Sequence, residues 1–401
     1  MKKATLHAAL FILILLRPTH TFAQCDPYTL SDPAGYPCKG YTSQTSATFL
    51  RIAPDARSAA MGDIGIALTP DANALTYNAS KLAMADKKWG ISVNYTPWIR
   101  REFNSEMYLS HQAAYFQFGK KIKQVIGLDY KYFSLGYIQW EFSYNGPLRE
   151  GAFHEKAFTG AYALKLNHKW AVGLSVKSIR STVTKRPDFL SPNAPTYPFV
   201  TNLRSFAMDI STTYKQQIMV SGVKTNLLVG AVLSNMGQKM PYLYVRSSDF
   251  LPTNLGLGGS WAIPFNQNNK LLLAFELNKL LVVAQKTTDT ADANRNYVPD
   301  WKEVSVSKNM LQSFSDSPNG FKGELKEIRK AWGLEYWFKD CIVLRTGYSY
   351  QSRNTGGRNF YTFGGGLRYK AFNLNVSYLK SLYNADMTDG TWRFSLLLNN
   401  I

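Results

Sequence analysis

The chain has 401 residues, with 46 Lys and Arg against 27 Asp and Glu, a formal net charge of +19. Charged residues make up 18% and aromatic residues 14%, which excludes a disordered chain, since those are charge-rich and aromatic-poor. One apolar run exists, near the N-terminus, and no other approaches the roughly 20 residues of a spanning helix, so a multi-span helical membrane protein is excluded as well.

Lys2 and Lys3 precede an apolar stretch from Ala8 to Leu16, and Thr21-Phe22-Ala23 follows with small residues at cleavage offsets. This pattern predicts a secretory signal over 1–23. Residues 24–48 then read as an N-terminal periplasmic segment. Cys25 and Cys38 lie in it, close to Pro27, Pro33 and Pro37. In an oxidising compartment they are a candidate disulfide; the alternative is two free thiols. Residues 49–87 do not alternate. Ala53 to Ala67 is rich in Ala and Gly, and Asp71 to Leu82 reads as a short helix and turn. The segment is too polar for lipid and too apolar to float free. It is expected as a plug in a lumen or at its mouth, the alternative being a small separate domain.

From Lys88 onward the signal is period-2 alternation, the mark of strands with two unlike faces. Ile91, Val93 and Tyr95 alternate with Ser92, Asn94 and Thr96. Trp392, Phe394, Leu396 and Leu398 alternate with Arg393, Ser395 and Asn399. Fourteen such segments lie near 88–98, 106–118, 123–135, 152–166, 170–183, 203–216, 223–235, 250–262, 269–282, 329–338, 341–352, 358–369, 372–383 and 391–400. The even count and the strand lengths fit an all-β, 14-stranded antiparallel transmembrane β-barrel over 88–401, with apolar side chains on lipid and polar ones in the lumen. The connections agree. Those after even-numbered strands are all short, while the long ones (136–151, 184–202, 236–249 and 283–328) all follow odd-numbered strands. Barrels keep short turns in the periplasm and long loops outside.

Chemistry is hard to find. No His spacing suits a metal, no Gly-rich run opens a helix to cradle phosphate, and no spacing assembles a catalytic triad. Asp129 and Asp209 would face the lumen, where a lone carboxylate is more often structural. No catalytic residue, cofactor or metal ligand is therefore assigned, and the protein is not expected to be an enzyme. Secretion argues against nucleic acid as a partner of the positive charge. Lipopolysaccharide phosphate near the outer rim, or an acidic protein, suits it better; the alternative is a merely basic proteome.

Several stretches are familiar. Phe49 to Gly65 (Phe-Leu-Arg-Ile-Ala-Pro-Asp-Ala-Arg-Ser-Ala-Ala-Met-Gly-Asp-Ile-Gly) resembles the N-terminal signature of the PorV family, the outer-membrane barrels of the type IX secretion system. Asp71 to Ala74, Tyr77 to Ala83, Val93 to Trp98 with Arg100, Tyr132 to Gly136, Ser313 to Phe321 and Trp392 to Leu396 continue the likeness. Wider relatives have Asn-Pro-Ala where Ala79 replaces the Pro, and the chain ends in Ile401 where assembly signals commonly end in an aromatic. The resemblance implies a FadL-like fold in the outer membrane. It implies a shuttle that binds the C-terminal signal domain of cargo at a SprA/Sov-type translocon and passes it to a PorU-type attachment complex, with outer-membrane lipid around it. The alternative is a FadL-like transporter of hydrophobic small molecules. The segment Val283–Ile328 is longer than a gate needs. Its Trp301, Met310, Leu311, Phe314 and Phe321 are the candidate partner-binding residues. Glu324, Lys326, Glu327 and Arg329 form a helical pattern suited to anchoring it on the rim.

Overall fold

The structure is a computed structural model that describes residues 43–98, 106–140, 149–183, 202–220, 222–241, 248–284, 292–293, 298–317, 319–352, 355–382 and 388–400. The expected signal, Cys25 and Cys38 lie outside these residues.

Alternating sequences pair into one closed antiparallel wall of fourteen strands. In chain order these are β1 (Trp89–Pro97), β2 (Tyr108–Phe118), β3 (Gln124–Trp140), β4 (Arg149–Lys165), β5 (Trp170–Val183), β6 (Asn202–Val220) and β7 (Val223–Gly237). A two-residue ladder, β8 (Met240–Pro241) with β9 (Ser248–Asp249), interrupts the next loop. The wall resumes with β10 (Asn254–Pro264), β11 (Asn269–Leu280), β12 (Arg329–Phe338), β13 (Ile342–Tyr350), β14 (Phe360–Tyr369), β15 (Phe372–Ser381) and β16 (Trp392–Asn399). β16 returns to β1 with Ile91 opposite Leu398 and Tyr95 opposite Phe394, so no edge is left unpaired.

The faces divide as the alternation predicts. Ile91, Val93 and Tyr95 are exposed to the outside, while Ser92, Asn94 and Thr96 are buried inward. On β16 Trp392, Phe394 and Leu396 face out, and Arg393 and Ser395 face in. Strand positions match expectation to within a few residues, with two instructive departures. β3 and β4 continue into the expected loop 136–151, because their pairing resumes at Tyr137 and Ala152 after a register shift. β6 runs on to Val220, paired with β7 down to Val223.

Residues from Ala47 to Ala85 fill the lumen and are mostly buried. They fold as short turns, Thr48–Arg51, Ala56–Ala59, Ala74–Tyr77 and Ala79–Met84; many small residues let the backbone approach the wall, while Phe49, Met61, Leu75 and Leu82 fill the remaining space. Gly347 illustrates the fit. A Cβ on it would lie 2.1 Å from the carbonyl carbon of Met61. Gly62 adopts φ 78°, and a Cβ there would meet the Tyr348 carbonyl oxygen at 2.8 Å. The plug enters from the long-loop end, where Ser43 Oγ donates to the Val282 carbonyl at 2.7 Å and Ser46 N–H to the Phe250 carbonyl at 2.9 Å. It leaves at the short-turn end, where Met84 and Ala85 pack with Tyr115, Val125, Ala163 and Ala171. Residues 43–48 therefore sit at the long-loop end of the lumen.

Candidate binding surface at the long-loop end

Wall carboxylates hold the plug. Arg57 donates from Nε to Glu335 Oε2 at 2.8 Å and from Nη2 to Glu335 Oε1 at 2.9 Å, and Arg345 Nε donates to the same carboxylate at 2.6 Å. Glu276 Oε2 accepts the N–H groups of Gly65 and Ile66, both at 2.8 Å. Asp129 accepts from Thr76 at 2.9 Å and contacts His111. Asp209 pairs with Lys177 at 2.7 Å and accepts the Asn235 N–H at 2.7 Å. Asp129 and Asp209 thus both have structural partners.

Above the plug lies a cavity of about 570 Å³, reaching up between the loops to Ser43, Ala284 and Thr355. Its wall near β1 and β3 is apolar, with Trp98 edge-on to Phe133 at 5.8 Å and Leu50, Ile52 and Leu135 beside them. Arg329 and Arg358 line it from the β12 and β14 side, and Arg51 from the plug. Sequence reading did not find this cavity, because its lining comes from many separate strands and loops.

The segment 283–328 folds into helical pieces at Asp300–Glu303, Val306–Gln312 and Gly320–Glu327. Ser305 caps the second by accepting the Lys308 N–H at 3.4 Å, a placement favoured because the hydroxyl satisfies an orphan donor. The third is held to the rim by Lys279, at the end of β11, whose Nζ donates to Glu324 at 2.8 Å and Glu327 at 2.6 Å. The Ser317 N–H donates to Glu324 Oε1 at 2.8 Å. Asp316 completes a carboxylate group around this single ammonium. Burial, and then the Glu324 charge, raise the Asp316 carboxyl above its usual range. Burial opposes ionisation of Glu324 too, yet the hydrogen bonds from Lys279 and Ser317 hold its carboxyl lowered. The Thr355 hydroxyl donates to the Lys326 carbonyl at 3.2 Å and ties the helix to the next loop.

With its charged face spent on the rim, the helix turns Phe321 and Leu325, one turn apart, to solvent at 77% and 43% exposure. Leu311 and Phe314 are exposed nearby in sequence at 74% and 49%, and the Phe314 ring lies 5.9 Å from the Lys279 ammonium. Trp301 and Met310 are half-buried. The Lys302 ammonium covers the Trp301 ring at 5.2 Å, and Lys302 pairs with Asp249 at 2.7 Å. Of the five candidate residues, Leu311, Phe314 and Phe321 are presented outward, while Trp301 and Met310 are partly covered. Leu325 and the anchor Lys279 were not singled out from sequence, although Lys279 ends an alternating strand and Glu324 and Glu327 share a helix face.

Comparison with known proteins bears on what this surface serves. A family model described as "Type IX secretion system protein PorV" matches residues 39–287, more than half of the chain. The chain belongs to the PorV family. As a PorV-family barrel it resides in the cell outer membrane and is a component of type IX secretion. The matched span covers the plug and the wall through β11 and stops short of Trp301 to Phe321. Solved structures similar to it include the toluene transporter TbuX of Ralstonia pickettii, at 12% identity, covering 86% of this chain and 97% of that one, with a TM-score of 0.48. A FadL homologue of Pseudomonas aeruginosa is similar at 12% identity, covering 90% and 99%, with a TM-score of 0.43. No curated protein sequence matches the chain.

Proposed function

We propose that the protein binds the C-terminal signal domain of translocated cargo at a SprA/Sov-type translocon and delivers it to a PorU-type attachment complex. It acts by binding rather than by catalysis. The observation that carries this reading is the helix Gly320–Glu327, anchored through its carboxylates with Phe321 and Leu325 turned outward. A loop with no partner would bury its apolar side chains. Here Phe321 and Leu325 are exposed beside Lys322 and Lys326 while the carboxylates are turned to the rim, and such an apolar exposure suits a contact surface. A rigid anchor also lowers the ordering cost of binding.

The test is the double variant Phe314→Ala with Phe321→Ala. It should weaken binding of the cargo domain or the translocon by about 2 kcal/mol or more if both rings are buried anchors in the complex. The barrel wall should assemble as before. Photocrosslinkers at both positions in intact cells should give products with the translocon or cargo. Intraloop products alone, with secretion unchanged in the double variant, would remove this assignment.

The second reading, a transporter of hydrophobic small molecules, draws on the cavity wall of Trp98, Phe133 and Leu135. It requires a route past the plug. Lipid or fatty acid as the sole co-purifying species from native membranes would favour it over the shuttle.

A further inference from the structure

Among the described residues the excess of positive charge has a location. Lys88 stands at the entry to β1, and Lys121, Lys169, Lys224, Lys270, Lys339 and Lys370 stand in or beside the six short turns. Among the described residues only Asp86 and Asp340 oppose them on the outside of that end, and Asp340 is taken by Lys270 at 2.6 Å. The long-loop end mixes signs instead, with Asp249, Asp300, Glu303, Asp316 and Glu324 among its lysines. Among the described residues the net positive charge is therefore greater at the short-turn end.

The collar lies at the border of the lipid-facing band. Lys88 Nζ is 5.8 Å from the centre of the Phe116 ring, Lys339 is 5.4 Å from Phe338, and Lys370 is 5.4 Å from Tyr369. All three rings are outward and exposed. An ammonium stacked on a lipid-facing ring sits at headgroup depth, with its stem in the apolar layer and its charge at the interface.

We propose that this collar binds the phosphates of anionic glycerophospholipids in the leaflet at the short-turn end. Distribution favours lipid over an acidic protein. Cations occur at every short turn around the circumference, as an annulus of lipid requires, whereas a protein would engage one sector. Charge complementarity sets the occupant: cations near a membrane surface attract anionic headgroups, and the attraction fades within a Debye length.

The test uses the full-length protein reconstituted in phosphatidylcholine bilayers with trace spin-labelled phosphatidylglycerol or spin-labelled phosphatidylcholine. The fraction of label immobilised on the barrel is read by electron paramagnetic resonance. We expect phosphatidylglycerol to be preferred by ~3-fold or more at low salt, with the preference falling toward parity at about 1 M salt. The variant Lys121→Gln, Lys169→Gln, Lys339→Gln, Lys370→Gln should lose most of the preference. Lys308→Gln with Lys322→Gln, on the long-loop end, should keep it. Heat-shifted gel mobility verifies that each variant is folded, and if the collar variant is not, the salt titration of the unaltered protein decides. Equal immobilisation of both lipids would overturn the proposal. So would a preference insensitive to salt, or one lost in the long-loop variant and kept in the collar variant.

Discussion

Glu335 is one of the wall carboxylates that seat the plug. It is buried in the lumen, accepts from Arg57 of the plug and Arg345 of the wall, and takes the Trp337 indole N–H at 2.9 Å. Arg57 also reaches Asp71 at 3.3 Å and the Thr69 carbonyl at 3.0 Å, so the plug carries part of its own compensation. Glu335→Gln keeps the shape and removes the charge, leaving two guanidinium groups to repel each other in a buried site. Removing one member of such a group typically costs about 3–5 kcal/mol. The expected outcome is a urea midpoint for the reconstituted barrel that falls accordingly, with protease reaching the plug first. An unchanged midpoint and a protected plug would show that Arg57 is held by Asp71 and Thr69 alone.

The helix Gly320–Glu327 is the element whose position rests on a single cation. Without Lys279, the carboxylates of Asp316, Glu324 and Glu327 would face one another unneutralised. Burial already raises Asp316 and Glu327, while Glu324 is held lowered by the hydrogen bonds from Lys279 and Ser317, so loss of the lysine removes the group's main compensation. Lys279→Met is predicted to release the helix. Limited proteolysis should then cut within 306–327 several times faster, while the wall keeps its heat-resistant mobility. Equal cutting rates in both proteins would mean that the Thr355 contact and the capped helix Val306–Gln312 suffice.

On the scale of the whole molecule, the wall is a sleeve and the plug crosses it from the long-loop end to the short-turn end. Short turns in the periplasm and long loops outside place Leu311 on the cell surface and Lys370 within the periplasm. A cysteine introduced at Leu311 should react with an impermeant maleimide on intact cells, in a background lacking native thiols. One at Lys370 should react only after the membrane is opened. The opposite pattern would invert the barrel, and with it the place of the proposed contact surface.

Much of this architecture is legible in the amino-acid sequence alone. Strand alternation is a local property that every strand repeats, so the number of strands, their faces and the parity of long and short connections all follow from the chain itself. The PorV-like stretch from Phe49 was likewise readable, and so was the helical pattern around Glu324. What only the tertiary structure decided depends on residues far apart in sequence meeting in space. The ion pairs of Glu335 with Arg57 and of Lys279 with Glu324 join separate segments. The cavity walls come from strands on different sides of the lumen, and the collar assembles from six turns and an entry point. The direction of the plug is of the same kind. Composition can place a segment in a lumen, but only the hydrogen bonds of Ser43 and Ser46 to the outer ends of the wall say which way it runs.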